Sequence, residues 1–286
     1  MSTGYEYDRS LSLKDAATLR DAIRVTVVNY LHHQLGWPLE RCEERVRQEE
    51  ERHIPRRLLS RLERGGWSLG GARVLDVGAG QGGTVLELLA RGADAYGVEP
   101  GTEFAELTAM RLAAEGHAPG RVIQAAGESL PLPDNSFDYV VSLQVLEHVR
   151  DPEVVLREIF RVLRPGGRCY VACENYLAFR EQHYRVAWLP LLPKSIGGRY
   201  LRMRGKDPAF LHEYVYYSTY PRIWRAARRA GFENLTYERY LDRVLGRRRA
   251  SLGGPAEAVS RAVVYGAAHA AHCFRTGIRV HLRKPA

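Results

Sequence analysis

The run Asp76-Val77-Gly78-Ala79-Gly80-Gln81-Gly82-Gly83 lies between an apolar stretch and a helical one. Strand, glycine turn and helix in that order bring backbone N–H groups and a helix N-terminus against a ligand that leaves no room for side chains. The spacing satisfies G-x-G-x-G, and also G-x-G-x-x-G through Gly78, Gly80 and Gly83, so a nucleotide-like cofactor suits the cradle. A purely structural tight turn would use the same glycines. Further on, Gly97-Val98-Glu99-Pro100 places Glu99 beyond the carboxyl end of the next apolar run. A carboxylate there accepts both hydroxyls of a ribose. It does not tell one adenosine cofactor from another.

Holding these groups requires a sheet, and the rhythm of the chain supplies one. From Ala72 onward, short apolar runs alternate with helical segments, the sign of parallel strands. ARVLDV, DAYGVE, RVIQAAG, FDYVVSLQV and RCYVACEN read as five strands. TVLELLARG reads as the helix after the first, and EVVLREIFRVLRPGG as a helix ended by its glycines. RIWRAARRAGF and the small-residue run PAEAVSRAVVYGAAHAAHCF read as helices, and ENLTYERYLDRV and TGIRVHLRKP as two closing strands. The expected fold is α/β, a Rossmann-like seven-stranded, mostly parallel sheet with helices on both faces. Residues 1–66 are expected to form an N-terminal helical cap: VVNYLHHQL offers an apolar stripe and ERCEERVRQEEERH a charged face. Residues 67–286 form the main domain, with an insertion after the fifth strand at about 176–220 that carries AWLPLLPKSIGG.

A chain of 286 residues can bury one large core with a small appendage. It holds no apolar run of spanning length, and MSTGYEYDRS lacks the basic-then-apolar pattern of a secretory signal, so the cytoplasm is the expected location. The net charge of +9 comes almost wholly from arginine, since Lys14, Lys194, Lys206 and Lys284 are the only lysines. A genome-wide arginine bias accounts for that, so it is not read as a nucleic-acid footprint. Arg247-Arg248-Arg249 is the one dense cluster, either an anion or membrane-surface contact or a solvated turn. Cys169 and Cys173 stand four residues apart on a strand, about 13 Å, too far for a disulfide or a shared metal. They read as buried thiols of a reducing compartment.

From about Ala72 to Cys173 the chain closely resembles the class I S-adenosylmethionine-dependent methyltransferases, in particular the group with the ubiquinone- and menaquinone-biosynthesis enzymes. VLDVGAGQGG, GVEP, LPLPDNSFDYVVS, LQVLEHVRDP and VLRPGG carry the resemblance, five motifs in order. It implies S-adenosylmethionine as cofactor and S-adenosylhomocysteine as product. Asp76 would lie near the amino end of the methionine moiety, with Gly78, Gly80 and Gly82 in the loop that approaches the cofactor. Glu99 would bind the ribose hydroxyls and Pro100 line the adenine. Gly127 and Glu128 would lie at the adenine edge, and Leu143 and Gln144 face the methionyl and sulfonium region. Where relatives often carry an acidic residue for the adenine amino group, this chain has Ala126.

Methyl transfer from a sulfonium is an in-line displacement with an excellent leaving group, so the protein mainly supplies alignment. A hydroxyl acceptor must also lose its proton, and a histidine near neutrality is suited to take it. His148, in Gln144-Val145-Leu146-Glu147-His148 just after the fourth strand, is the candidate base; packing near a helix start is the alternative role. No metal is expected; were a divalent cation held, Glu147 and His148 would hold it. Beyond the fifth strand, Glu174, Asn175, Glu181, His183, Tyr184, Trp188, His212, Glu213, Tyr214 and Tyr216 interleave polar and aromatic groups. As a group they suit a hydroxylated ring; singly, each could simply pack a lid on the sheet. His32 and His33 on the N-terminal helix could approach from above. WLPLLP is a candidate membrane-surface contact, and the N-terminal helices could pair two subunits. Ser142-Leu143-Gln144 stands where amine-methylating DNA enzymes carry Asn or Asp before Pro-Pro, so no nucleic-acid partner is expected. The acceptor is expected to be a small metabolite, sugar or glycan methylated on oxygen. C- or N-methylation of a small metabolite or quinone precursor is the alternative among enzymes, and a cofactor-binding scaffold the non-enzyme one.

Overall fold

The structure is a computed structural model that describes residues 12–236 and 255–286. Val- and Leu-rich β1 (Arg73–Val77), β2 (Asp94–Glu99), β3 (Val122–Gln124), β4 (Phe137–Leu143) and β5 (Leu163–Glu174) pair in parallel in the order β3-β2-β1-β4-β5. The antiparallel strand β9 (Gly277–Arg283) lies against β5, and the two-residue β8 (Glu233–Asn234) closes the edge. The result is the expected seven-stranded, mostly parallel sheet. The rest of the expected closing strand ENLTYERYLDRV, from Tyr237 on, and Arg247–Arg249 lie outside the described residues.

Both faces are covered, as parallel strands require. On one face α6 (Pro152–Val162) buries Val155, Leu156, Ile159 and Val162, beside α9 (Tyr220–Arg229) and α10 (Pro255–Cys273). On the other, α3 (His53–Arg64) and α4 (Gly83–Ala90) pack with Leu112 of α5 (Thr102–Ala114). The start of α6 is set locally. Asp151 Oδ1 accepts the amide of Glu153 at 3.0 Å, and Pro152 occupies the first helical position. Its end differs from the sequence expectation. The helix stops at Val162, and Leu163 turns extended (φ −69°, ψ 140°) into β5 instead of continuing to the glycines. Pro165 disfavours helical backbone at Arg164, so the last turn has nothing to grow into.

The N-terminal helices α1 (Leu19–Val28) and α2 (Leu39–Glu50) do not form a core by themselves. Their Val27 and Val46, with Leu31 and Leu35 of the segment between them, share one cluster with Tyr176, Trp188, Leu201, Phe210 and Val215 of the insertion. The insertion holds a two-stranded hairpin, β6 (Arg180–Glu181) with β7 (Val186–Ala187), and then α7 (Lys194–Met203) and α8 (Ala209–Glu213). The N-terminal segment and the insertion, more than 120 residues apart in sequence, thus make one roof beside the carboxyl ends of the strands. All four cysteines are free, Cys169 and Cys173 buried as expected.

Candidate active site

The glycine loop leaves β1 with three glycines at positive φ: Gly78 at 78°, Gly80 at 52° and Gly82 at 76°. They serve different ends. A Cβ on Gly78 would stand 2.2 Å from Val145 Cγ2, and one on Gly82 would stand 2.6 Å from Thr108 Cγ2. A Cβ on Gly80 would meet nothing within 4 Å. Gly80 therefore opens on the space a ligand would use, whereas Gly78 and Gly82 let the loop close on the protein. The loop carbonyls are clamped from α5: Thr108 donates to Gly80 O at 2.8 Å and Arg111 to Gln81 O at 2.7 Å. Arg111 also donates to Glu49 O at 2.8 Å, which ties α2 to the loop.

Glu99 ends β2 with both carboxylate oxygens against backbone amides, Gly80 N–H at 2.8 Å and Gly101 N–H at 2.9 Å. Burial raises its pKa, and those two amides work against the rise. Asp76 is buried at the end of β1, and its Oδ1 has no hydrogen-bond partner. Burial, then the charge of Glu99, push its pKa well above the usual carboxylate range, and Thr84 opposes them. An arriving cation would favour the ionised form of Asp76, so its unpartnered oxygen beside the glycine loop suits a positively charged group. S-adenosylmethionine brings an ammonium and a sulfonium, so the orphaned oxygen and the open space at Gly80 fit it. Pro100 and Glu128 are exposed on the same side of the sheet ends, and Gly127 is buried against Val77 and Val155.

Past β4, Gln144 takes a left-handed backbone (φ 57°), and its amide donates to Ala172 O at 2.7 Å. Such backbone in a non-glycine residue stores strain that the surroundings must hold. Its side chain donates to Glu174 Oε1 at 2.9 Å, so the sulfonium-side candidate and a candidate acceptor residue are joined.

The loop then delivers Glu147 and His148. His148 Nδ1 lies 2.8 Å from Tyr214 O; it donates there and leaves Nε2 as an acceptor. Burial, then the neighbouring His183, bring its pKa down to about 4, against the pull of that carbonyl. The two imidazoles meet edge to face, centroids 5.3 Å apart. Glu181 Oε1 stands 2.9 Å from His183 Nδ1 and accepts from Tyr176 OH at 3.0 Å. Burial works against the charge on His183, but Glu181, then Glu174 and Glu147, win and raise its pKa. Glu147 is fully buried with Oε2 unpartnered; burial lifts it to about 7, against the His183 charge. Glu174 is lifted to about 8, by burial and then by Glu147 and Glu181 against His183. One ligand atom from each of Glu147, His148 and His183 falls within 4.8 Å of the others, a spacing that could hold a metal ion.

Not every expected residue joins this cluster. Asn175 is buried with its amide on the carbonyls of His272, Cys273 and Arg275, so it ties down the end of α10 and does not face an acceptor. The Tyr184 hydroxyl accepts the amide of Leu211 at 3.2 Å, inside the roof. His212 is exposed and packs against Gly198 of α7. Trp188 is buried over Gly197. His32 is spent on Trp37 O at 2.6 Å. Conversely, Tyr30 escaped the sequence reading. It packs against Phe104 and Phe210, and burial together with the charges of Glu147 and Glu181 raises its pKa. It sits where α1 gives way to a π turn over Asn29–Gln34, a local change that residue types do not announce.

Residues 75–171 match the family described as a methyltransferase domain. An uncharacterized methyltransferase of Mycobacterium sp. (strain JLS) is 42% identical over 139 residues, 49% of this chain and 53% of the relative. A ubiquinone biosynthesis O-methyltransferase of Rhizobium rhizogenes is 36% identical over 129 residues, 43% of this chain and 51% of the relative. This chain thus spans about half the length of the curated relatives it matches. Among solved structures, phosphoethanolamine N-methyltransferase 2 of Haemonchus contortus, in complex with S-adenosyl-L-methionine, shares the fold. It has a TM-score of 0.52 and 19% identity, over 96% of this chain and 61% of that one. The glycine loop, Glu99, strands β2 to β4 and most of β1 lie within the stretch, residues 75–171, that matches a methyltransferase domain.

Proposed function

We propose that the chain transfers a methyl group to a hydroxyl of a small metabolite, sugar or glycan. S-adenosylmethionine, bound along Asp76, Gly80 and Glu99, supplies an electrophilic methyl on a sulfonium. The observation that carries the reading is His148: a neutral imidazole with Nδ1 fixed on Tyr214 O, and so an acceptor at Nε2, at the mouth where β4 ends. In this reading the acceptor hydroxyl gives its proton to that nitrogen as its oxygen attacks. Burial, and then the positive charge of His183 backed by Glu181, keep His148 unprotonated beforehand. Gln144 and Glu174 orient the acceptor. Tyr30 and Phe210 shut out water from the roof side. The name of the Rhizobium relative, an O-methyltransferase, agrees with oxygen as the target.

A second reading rests on the spacing of Glu147, His148 and His183. A divalent cation on those three would bind an acceptor oxygen and lower its pKa directly. N- or C-methylation is the remaining alternative; an amine acceptor needs no base once it is neutral. Among the described residues no helix is long and apolar enough to cross a membrane. Leu189 and Leu191 of WLPLLP are exposed and would be the points of contact with a membrane surface.

The test is an acceptor panel of phenols, sugars and amines incubated with labelled cofactor, with and without EDTA. The reading expects labelled methyl ethers, formation unaffected by EDTA, and loss of product with His148→Ala. Product on nitrogen alone would overturn it. EDTA-sensitive ether formation would move the chemistry to the cation.

A further inference from the structure

Many of the arginines among the described residues face a carboxylate. Arg24 meets Glu43, Arg91 meets Glu63 and Glu87, Arg121 meets Asp94, and Arg161 meets Asp134 and Glu158. One concavity gathers several cations that do not. Between the N-terminal helices and the β6–β7 hairpin lies a cavity of about 310 Å³, and Trp37, Arg41, Arg180, Arg185, Arg204 and Lys206 line it. Among the described residues none of these five cations has a carboxylate within ion-pair distance. Lys206 reaches only Gly36 O, at 2.6 Å, and Asp207 beside it caps the amide of Ala209 at 2.9 Å. Arg185 stands on left-handed backbone (φ 58°) with its guanidinium over the Trp37 ring, 5.1 Å from the centroid. The Trp37 indole N–H is itself fixed on His183 O at 2.7 Å. Five like charges around one concavity repel one another unless an anion lies between them.

We propose that this cavity binds a phosphate-type polyanion, with guanidinium groups donating paired hydrogen bonds to its oxygens and Trp37 forming the floor. Guanidinium forks match phosphate geometry, and an oxyanion held by several of them gains more than from single point charges. Neither His148 nor His183 lines the cavity: Trp37 meets only the His183 carbonyl, whereas the His183 ring meets Glu181 and His148. The phosphate could be a soluble one or the headgroup of an anionic lipid; the chemistry of recognition is shared. The inference does not depend on methyl transfer.

The full chain is titrated calorimetrically with pyrophosphate at fixed ionic strength, and cosedimented with phosphatidylglycerol and phosphatidylcholine vesicles. Pyrophosphate should bind, and the double variant Arg180→Gln/Arg204→Gln should weaken it about tenfold or more. Arg57→Gln/Arg61→Gln removes the same charge from the exposed face of α3 and should change the affinity less than about twofold. Both doubles should bind S-adenosylhomocysteine like the parent, which certifies their fold. Cosedimentation with phosphatidylglycerol alone, lost in the Arg180/Arg204 double and competed by pyrophosphate, assigns the site to a headgroup. Pyrophosphate binding without cosedimentation assigns it to a soluble phosphate compound. Absence of both, or equal weakening in the two doubles, would overturn the proposal.

Discussion

The two ends of the site are built on opposite principles. Around the glycine loop nearly every polar group is committed within the fold: Gly80 O to Thr108, Gln81 O to Arg111, and both oxygens of Glu99 to amides. Asp76 Oδ1 and Gln81 Oε1 are the exceptions. Around His148, three carboxylates and two imidazoles crowd together in a buried space, with protons too few to neutralise them all and too many to leave them all charged. The first region is a fixture, set by backbone and ready for a ligand. The second is an electrostatic balance, assembled from Tyr30, from Glu147 and His148, and from Glu174, Glu181 and His183. A fixture should respond to substitution in affinity, a balance in rate and in pH.

The largest expected effect follows directly. His148→Ala should lower turnover by about 10²–10⁴ while S-adenosylhomocysteine affinity stays within about twofold, the signature of a lost proton acceptor. Glu99→Ala should do the reverse, weakening S-adenosylhomocysteine by several-fold to about a hundredfold. Calorimetry and steady-state rates on the same preparations separate the two. If both variants moved the same parameter, the contrast between the two ends would be void.

Arg111→Ala sharpens the idea of a clamped loop. It strips two buried carbonyls, Gln81 O and Glu49 O, of a charged donor, which should cost about 2–4 kcal/mol of stability in urea unfolding. Cofactor affinity should fall with it, because the loop then moves independently of α2.

The smallest effect is a slope against pH. Glu147 and Glu174 titrate at about 7 and about 8 in the fold, against 4.5 unfolded. A raised native pKa is stability present below pH 4.5 and lost as the pH climbs through those native values; the raised His183 has the same sign. His148, lowered to about 4 from 6.5, acts oppositely but is spent above pH 6.5. Between pH 6.5 and 8 the ligand-free chain should therefore lose about 1–2 kcal/mol, read from denaturant midpoints. Glu174→Gln should flatten that slope, and an unchanged slope would remove Glu174 from the balance.

What the sequence disclosed follows the same division. Gly78, Gly80 and Glu99 were legible because a backbone turn and a strand end dictate residue type within a few positions. The count of seven strands, mostly parallel, came with them. The roof was not, since Tyr30 meets the acid cluster only through a π turn and through packing with residues far along the chain. Asn175 was misread for a related reason: a polar residue after a strand end looks like a ligand contact until its three carbonyl partners, 97–100 residues away, are known. His212 and Tyr184 share a segment with His183, and only the fold of the hairpin separates them. The cation-lined cavity drew together Arg41 and Arg204, which no local pattern connects.

The most direct test of the account is calorimetric titration of the purified chain with S-adenosylhomocysteine, with NAD as the parallel control. Micromolar binding of S-adenosylhomocysteine with none of NAD is the expected result, since the unpartnered Asp76 oxygen suits the ammonium of the methionine moiety. NAD binding, or no response to S-adenosylhomocysteine at all, would contradict it.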